Sequence, residues 1–227
     1  MATLYIVATP IGNLEDITLR AIRVLKEVDL ILCEDTRISK RLLSRFEILN
    51  KQVTTYNEQR SGINAEKVIK FLEEGKNIAL VTDAGTPGIS DPGARLVAEV
   101  RKALSNEVKI IPIPGPSAIA TALSASGVPS DEFLFLGFLP HKKGRETLFK
   151  EIAITKRTVV FYESPHRIIK TLESLNKYVP ERKVVIAREM TKIHEELLEG
   201  VPAELLEYFN KNKEKIRGEF VVIVDRK

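Results

Sequence analysis

The sequence predicts an α/β protein of two domains, a parallel sheet in the first and a mixed sheet in the second. Three observations carry this. Short apolar runs alternate with amphipathic helical stretches through the first half, the pattern of buried strands covered by helices on both faces. The texture changes after Gly127-Val128-Pro129-Ser130, where strand-like runs outnumber helices. The chain of 227 residues, 44% hydrophobic and 29% charged, has ordinary globular composition and length enough to bury two cores.

Taken in order, Leu4-Tyr5-Ile6-Val7-Ala8 reads as a buried parallel strand. Ile17, Ala21, Val24, Leu25 and Val28 fall on one helix face. Leu30-Ile31-Leu32-Cys33 is a second strand. Residues 64–74 form a helix with Asn64 as N-cap and Gly75 past its end. Ile78 to Val81 is a third strand, Ala94 to Leu104 a helix, and Val108 to Ile111 a fourth strand. A small-residue helix from Ser117 to Ser126, stopped by Gly127, closes this half. In the second half Phe133–Phe138, Thr158–Tyr162, Lys183–Ala187 and Glu219–Val224 are strand-like. Glu146–Ile154, Arg167–Tyr178 and Pro202–Asn210 are helical. The boundary between domains is placed near residue 128, giving 1–128 and 129–227.

Bulk properties narrow the class. Lys and Arg number 35 against 31 Asp and Glu, a net charge of +4, which permits an anionic partner without requiring one. A single cysteine, Cys33, leaves no disulfide framework within the chain, consistent with a reducing, cytoplasmic setting. The start Met1-Ala2-Thr3-Leu4-Tyr5 lacks the charged and apolar stretches of a signal peptide. Ile110 to Ser130 is uncharged, but four prolines and two glycines interrupt it, which argues against a membrane span.

Three strands end in unusual loops: Thr9-Pro10-Ile11-Gly12-Asn13, Thr82 through Gly93, and Pro112 through Ala118. Ligands of open α/β sheets bind beyond the carboxyl ends of strands. Glycines there admit a ligand to the backbone, and a helix starting near Ser117 aims free N–H groups at that region, where a carboxylate could sit. Neither G-x-G-x-x-G after the first strand nor G-x-x-x-x-G-K-[ST] is present, so the common dinucleotide and P-loop fingerprints are missing.

Six segments, in register along the whole chain, resemble one family. They are Thr9 to Leu14, Cys33-Glu34-Asp35-Thr36-Arg37, Asp83 to Gly93, Pro114 to Ala118, Phe161-Tyr162-Glu163-Ser164-Pro165-His166-Arg167, and Arg188-Glu189-Met190-Thr191-Lys192. The family is the ribosomal RNA small subunit methyltransferase I group of the tetrapyrrole methylase superfamily. The resemblance implies two α/β domains with S-adenosylmethionine (AdoMet) between them, in a homodimer. It also implies 2′-O-methylation of a cytidine in the decoding region of small-subunit ribosomal RNA. By motif, it implies cofactor contacts at Ala84, Gly85, Thr86 and Ile89 with Asp83 adjacent, at Ser117 and Ala118, at Glu163, and at Pro10. Tetrapyrrole-modifying relatives carry a glycine-rich acidic loop after the first strand. Thr9-Pro10-Ile11-Gly12-Asn13 departs from it, which puts a tetrapyrrole substrate in doubt.

Methyl transfer from a sulfonium needs positioning and a proton acceptor, not a metal. His141, His166 and His194 show no metal-ligand spacing with Cys33. Candidate bases are the strand-end carboxylates Glu34, Asp35, Glu163 and Glu189, with Glu189 preferred; the alternative is that Glu34 and Asp35 pair with Arg37, and Glu189 with Arg188, holding loops together. Arg37, Arg167 and Arg188 suit phosphate. Arg37, Arg41 and Arg45, with Lys40, recur at helical spacing without an intervening acid. Lys142, Lys143 and Arg145 open a second basic segment of six cations against two acids. Both are candidate RNA surfaces, the alternative being solvated helix faces. Only 14 aromatics are present, so RNA recognition would rest on shape and backbone. The rival readings are a methyltransferase for a small tetrapyrrole-like molecule and a non-catalytic regulator binding a ligand and RNA.

Overall fold

A computed structural model describes residues 1–56 and 63–227. The chain forms two compact units, Met1–Ser117 and Ala118–Lys227.

The first unit is a parallel sheet of β1 (Thr3–Val7), β2 (Leu30–Cys33), β3 (Gln52–Thr55), β4 (Ile78–Leu80) and β5 (Lys109–Ile113), in the order β3-β2-β4-β1-β5. Leu30, Ile78, Leu4 and Ile110 form one transverse row. Because successive side chains point to opposite faces, the strands feed two cores. Leu4, Leu30, Leu32, Ile78 and Leu80 pack on α3 (Ala65–Glu73) and α4 (Ala94–Leu104). Val7, Ile31, Cys33, Ala79, Val81 and Ile113 pack on α1 (Leu19–Glu27) and α2 (Thr36–Arg45). The helices start where the caps stand: Thr18 accepts from the Ala21 amide, Asp35 from Arg37 and Asn64 from Lys67.

The second unit has a mixed sheet, as anticipated. Its strands are β6 (Phe133–Phe138), β7 (Thr158–Glu163), β8 (Val184–Arg188), β9 (Glu196–Gly200) and β10 (Phe220–Val224), in the order β6-β7-β10-β8-β9. Only β6 and β7 are parallel. Helices α6 (Arg145–Ile154), α7 (Ile168–Tyr178) and α8 (Pro202–Lys211) cover one face, built on Phe149, Phe161, Leu172, Phe209 and Phe220. The other face meets α5 (Ala118–Ser126) through Ile119, Ala122 and Leu123 against Val160, Val185, Val221 and Ile223. Thus α5 packs on the second sheet, and the units divide after Ser117 rather than near residue 128. Periodicity identifies the helix but cannot say which sheet its small-residue face will cover.

Candidate active site

β1 and β4 are neighbours in the first sheet, yet the helices that follow them depart over opposite faces, α1 with one core and α4 with the other. That is a topological switch point, where the loops after adjacent strands diverge and leave a crevice at their carboxyl ends.

The loops at this point interlock. The Thr9 amide donates to the Gly85 carbonyl (2.8 Å) and Gly85 returns the bond to Thr9 (3.1 Å). The Thr9 hydroxyl donates to the Thr82 carbonyl at 3.0 Å, and the Thr86 hydroxyl donates to the Pro116 carbonyl at 3.1 Å. The sequence requires little bulk here: a Cβ on Gly115 would lie 3.0 Å from the Ala8 Cβ, and one on Gly93 would lie 2.8 Å from Leu80 Cδ2. Gly85 has φ of +86°, a conformation disfavoured for other residues. Pro10 and Gly85 are buried, Asp83, Thr86 and Ser117 are half-buried, and Ala84 and Ile89 are exposed. The first unit therefore gathers seven of the anticipated cofactor residues onto these loops. Ala118 begins α5.

Carboxylates line the β2 and β4 ends. The Thr82 hydroxyl makes a short bond to Glu34, and the Asp35 amide donates to Asp83 Oδ1 at 3.1 Å. Burial raises Asp83, and burial together with the nearby Glu34 charge raises Asp91 to about 6. Asp35 is instead held at about 2 by its hydrogen bonds from Arg37, 2.5 Å away. Asp91, half-buried beside Thr82, escaped the sequence reading. It lies in a quoted motif, but residue type alone did not set it apart from Asp83.

The other anticipated groups belong to the second unit. Glu163 is buried at the end of β7. It accepts from the Ser164 amide (2.7 Å) and the Thr171 hydroxyl (2.6 Å) and pairs with Arg167 at 2.8 Å. Arg167 also donates to the Leu139 carbonyl, and Arg145 donates to the Thr171 hydroxyl at 2.7 Å. This cluster ties β7 to α6 and α7. Its engagement weighs against the cofactor role anticipated for Glu163, the phosphate role for Arg167 and the RNA role for Arg145. Arg188 is buried and pairs with Glu196 at 3.2 Å. Among the described residues its Nη1 has no partner, and burial sets it apart from a substrate-facing base or acid. Glu189 has φ of +50° and accepts from Lys192 (2.8 Å) and the Glu219 amide (3.0 Å). Burial raises its pKa, but these bonds outweigh burial and lower it, which suits a loop clamp better than the anticipated base.

Arg37, Lys40, Arg41 and Arg45 are all exposed on α2. Lys142 and Lys143 are exposed too, but further along that segment Lys150 pairs with Glu146 and Arg157 with Glu132. Among the described residues no group of three His, Cys, Asp or Glu is arranged to hold a metal ion, and no helix is long and apolar enough to cross a membrane.

The family model for tetrapyrrole (corrin/porphyrin) methylases matches residues 3–206. The ribosomal RNA small subunit methyltransferase I of Thermotoga maritima is 44% identical over 227 residues, all of both chains. The protein of the same name from Halalkalibacterium halodurans is 49% identical over 224 residues, 98% of this chain and 75% of that protein. In Vibrio cholerae the corresponding figures are 50% over 226 residues, 97% and 76%. Among solved structures, the methyltransferase CobJ is similar with a TM-score of 0.70 at 18% identity, covering 100% of this chain and 95% of that one. Uroporphyrin-III-C-methyltransferase from Thermus thermophilus gives 0.67 at 19%, covering 99% and 94%.

Proposed function

This chain belongs to the tetrapyrrole methylase family and, within it, to the ribosomal RNA small subunit methyltransferase I group, and on that premise we propose a specific reaction. The enzyme transfers a methyl group from S-adenosylmethionine to the 2′-oxygen of a cytidine in the decoding region of small-subunit ribosomal RNA. The observation that carries the cofactor half of this reading is the interlocked set of loops at the switch point. Family membership carries the RNA half.

The residues fit such a cofactor. Gly85 and Gly115 let the loops close on one another, since a Cβ at these positions would meet Ile11 and Ala8, and the exposed Ile89 offers an apolar surface to a flat ring. S-adenosylmethionine, when bound, supplies an electrophilic methyl on a sulfonium. The chain's task is to hold the acceptor oxygen in line with that methyl and take its proton as the sulfur–carbon bond breaks and the oxygen–carbon bond forms. Asp91, half-buried beside Thr82 and raised to about 6 by burial and the nearby Glu34 charge, suits a base that works at neutral pH. Glu34 shares Thr82 with it and serves as its positioning partner. A homodimer, a cytoplasmic location and independence of metals belong to the same reading.

Two tests bear on it. Calorimetry should find cofactor binding to the wild type without added metal and weakened binding in Gly85→Val and Ser117→Asp. Unimpaired binding in both folded variants would move the pocket elsewhere. Labelled cofactor should methylate isolated small subunits and leave small tetrapyrroles unlabelled; the reverse would favour the small-molecule reading, and no transfer at all a non-catalytic regulator.

A further inference from the structure

We propose that the RNA-docking surface is the combined outer face of α1 and α2, and that Arg20 and Lys26 of α1 are members of it. The proposal rests on the RNA reading above and goes beyond the α2 arginines that the sequence singles out.

The two helices bury their apolar sides in one core: Ala21, Val24 and Leu25 of α1 join Leu42 and Leu43 of α2 over the same sheet face. α1 joins β1 to β2 and α2 joins β2 to β3, so both helices cover the same face of the sheet. Both helices turn their outer faces away from that core. These faces expose Arg20, Arg23 and Lys26 from α1 and Arg37, Lys40, Arg41 and Arg45 from α2. The only acid within either helix is Glu27. This surplus of six exceeds the whole chain's net charge of +4, so the rest of the protein is net acidic.

Two of the seven cations are neutralised within the chain. Arg23 pairs with Glu27 at 3.3 Å and Arg37 with Asp35 at 2.5 Å. Among the described residues, no salt bridge engages Arg20, Lys26, Lys40, Arg41 or Arg45. A solvated helix face ordinarily intersperses both signs; one-signed packing over two helices raises self-repulsion and is relieved by a polyanion. The His141–Arg157 segment is built differently, since Arg145, Lys150 and Arg157 are engaged within the protein.

The test uses the full chain with purified small-subunit RNA in a filter-binding salt series. Arg20→Gln with Lys26→Gln should flatten the slope of log affinity against log salt by about 1.4–1.8, at 0.7–0.9 per phosphate contact. Affinity near 0.1 M salt should drop tenfold or more, with cofactor affinity by calorimetry unchanged. Lys142→Gln with Lys143→Gln should leave the slope in place. A wild-type slope in the α1 variant, or a slope lost only in the Lys142/Lys143 variant, overturns this face while leaving the RNA reading intact. A wild type that neither binds RNA nor methylates it sinks both. Slope loss on anionic phospholipid vesicles but not on RNA would assign the face to a membrane surface and refute the proposal.

Discussion

Gly115→Ala is the sharpest probe of the interlocked loops. The added Cβ would lie 3.0 Å from the Ala8 Cβ and 3.6 Å from the Ala8 carbonyl oxygen. Gly115 does not have positive φ, so alanine meets no backbone penalty and the effect is one of spacing alone. A methyl pair at 3.0 Å must open by a few tenths of an ångström. Overpacking of this size costs about 1 kcal/mol, the low end of its range. The opening separates the loops after β1 and β5, and a tenfold loss of cofactor affinity, about 1.4 kcal/mol, is the predicted consequence. Ala8→Gly removes the opposing methyl. Alone it should destabilise by about 1 kcal/mol through chain flexibility and lost burial, because Ala8 is buried. Combined with Gly115→Ala it should restore affinity to within about threefold of wild type, the coupling that touching residues show. Calorimetry with the cofactor and thermal melting measure both quantities. If Gly115→Ala binds as wild type does, or the double variant binds no better than Gly115→Ala, the loops do not set the pocket as argued.

Asp91→Asn should raise stability at pH 7 by about 1–2 kcal/mol, after discounting the partly exposed carboxyl for solvent screening. The folded pKa of about 6 lies above the ordinary 3.8, so the folded state holds the proton more tightly. Wild-type stability therefore falls as pH rises from about 4 to 6, and the variant should lack that fall in pH-dependent denaturation. The same variant should abolish methyl transfer, while the wild-type rate climbs through pH 6 and then levels off; a rate flat from pH 5 to 8 would remove Asp91 as the base. Glu163→Ala should destabilise the chain by about 3–5 kcal/mol in urea, since it strands Arg167, and a loss below 1 kcal/mol would deny the buried pair its anchoring role.

The first sheet was largely legible in the sequence because its strands are buried on both faces: Leu30-Ile31-Leu32-Cys33 reads as a continuous apolar run with no competing pattern. Two of the four edge strands were not. Gln52–Thr55 and Glu196–Gly200 are flanked on one side only, so they carry Gln, Thr and Glu and look like loop. Helix α2 buries only Ser39, Leu42 and Leu43, too thin an apolar stripe to announce an element, although its arginine spacing was visible. The loops of the site were legible as Gly and Pro clusters. Their cross-bonds, such as Thr9 to Gly85, join residues 76 apart and leave no local trace. The engaged state of Glu163, Arg145 and Glu189 was hidden for the same reason: a carboxylate reads alike whether its partners are a substrate or its own fold.

The account's central claim is tested most directly by mapping the methyl group. Small subunits incubated with the chain and labelled S-adenosylmethionine should carry alkali-resistant label at a single cytidine in the decoding region, the mark of a methylated 2′-oxygen. Label released by alkali in a mononucleotide, label spread over other nucleotides, or label found only in protein would contradict it.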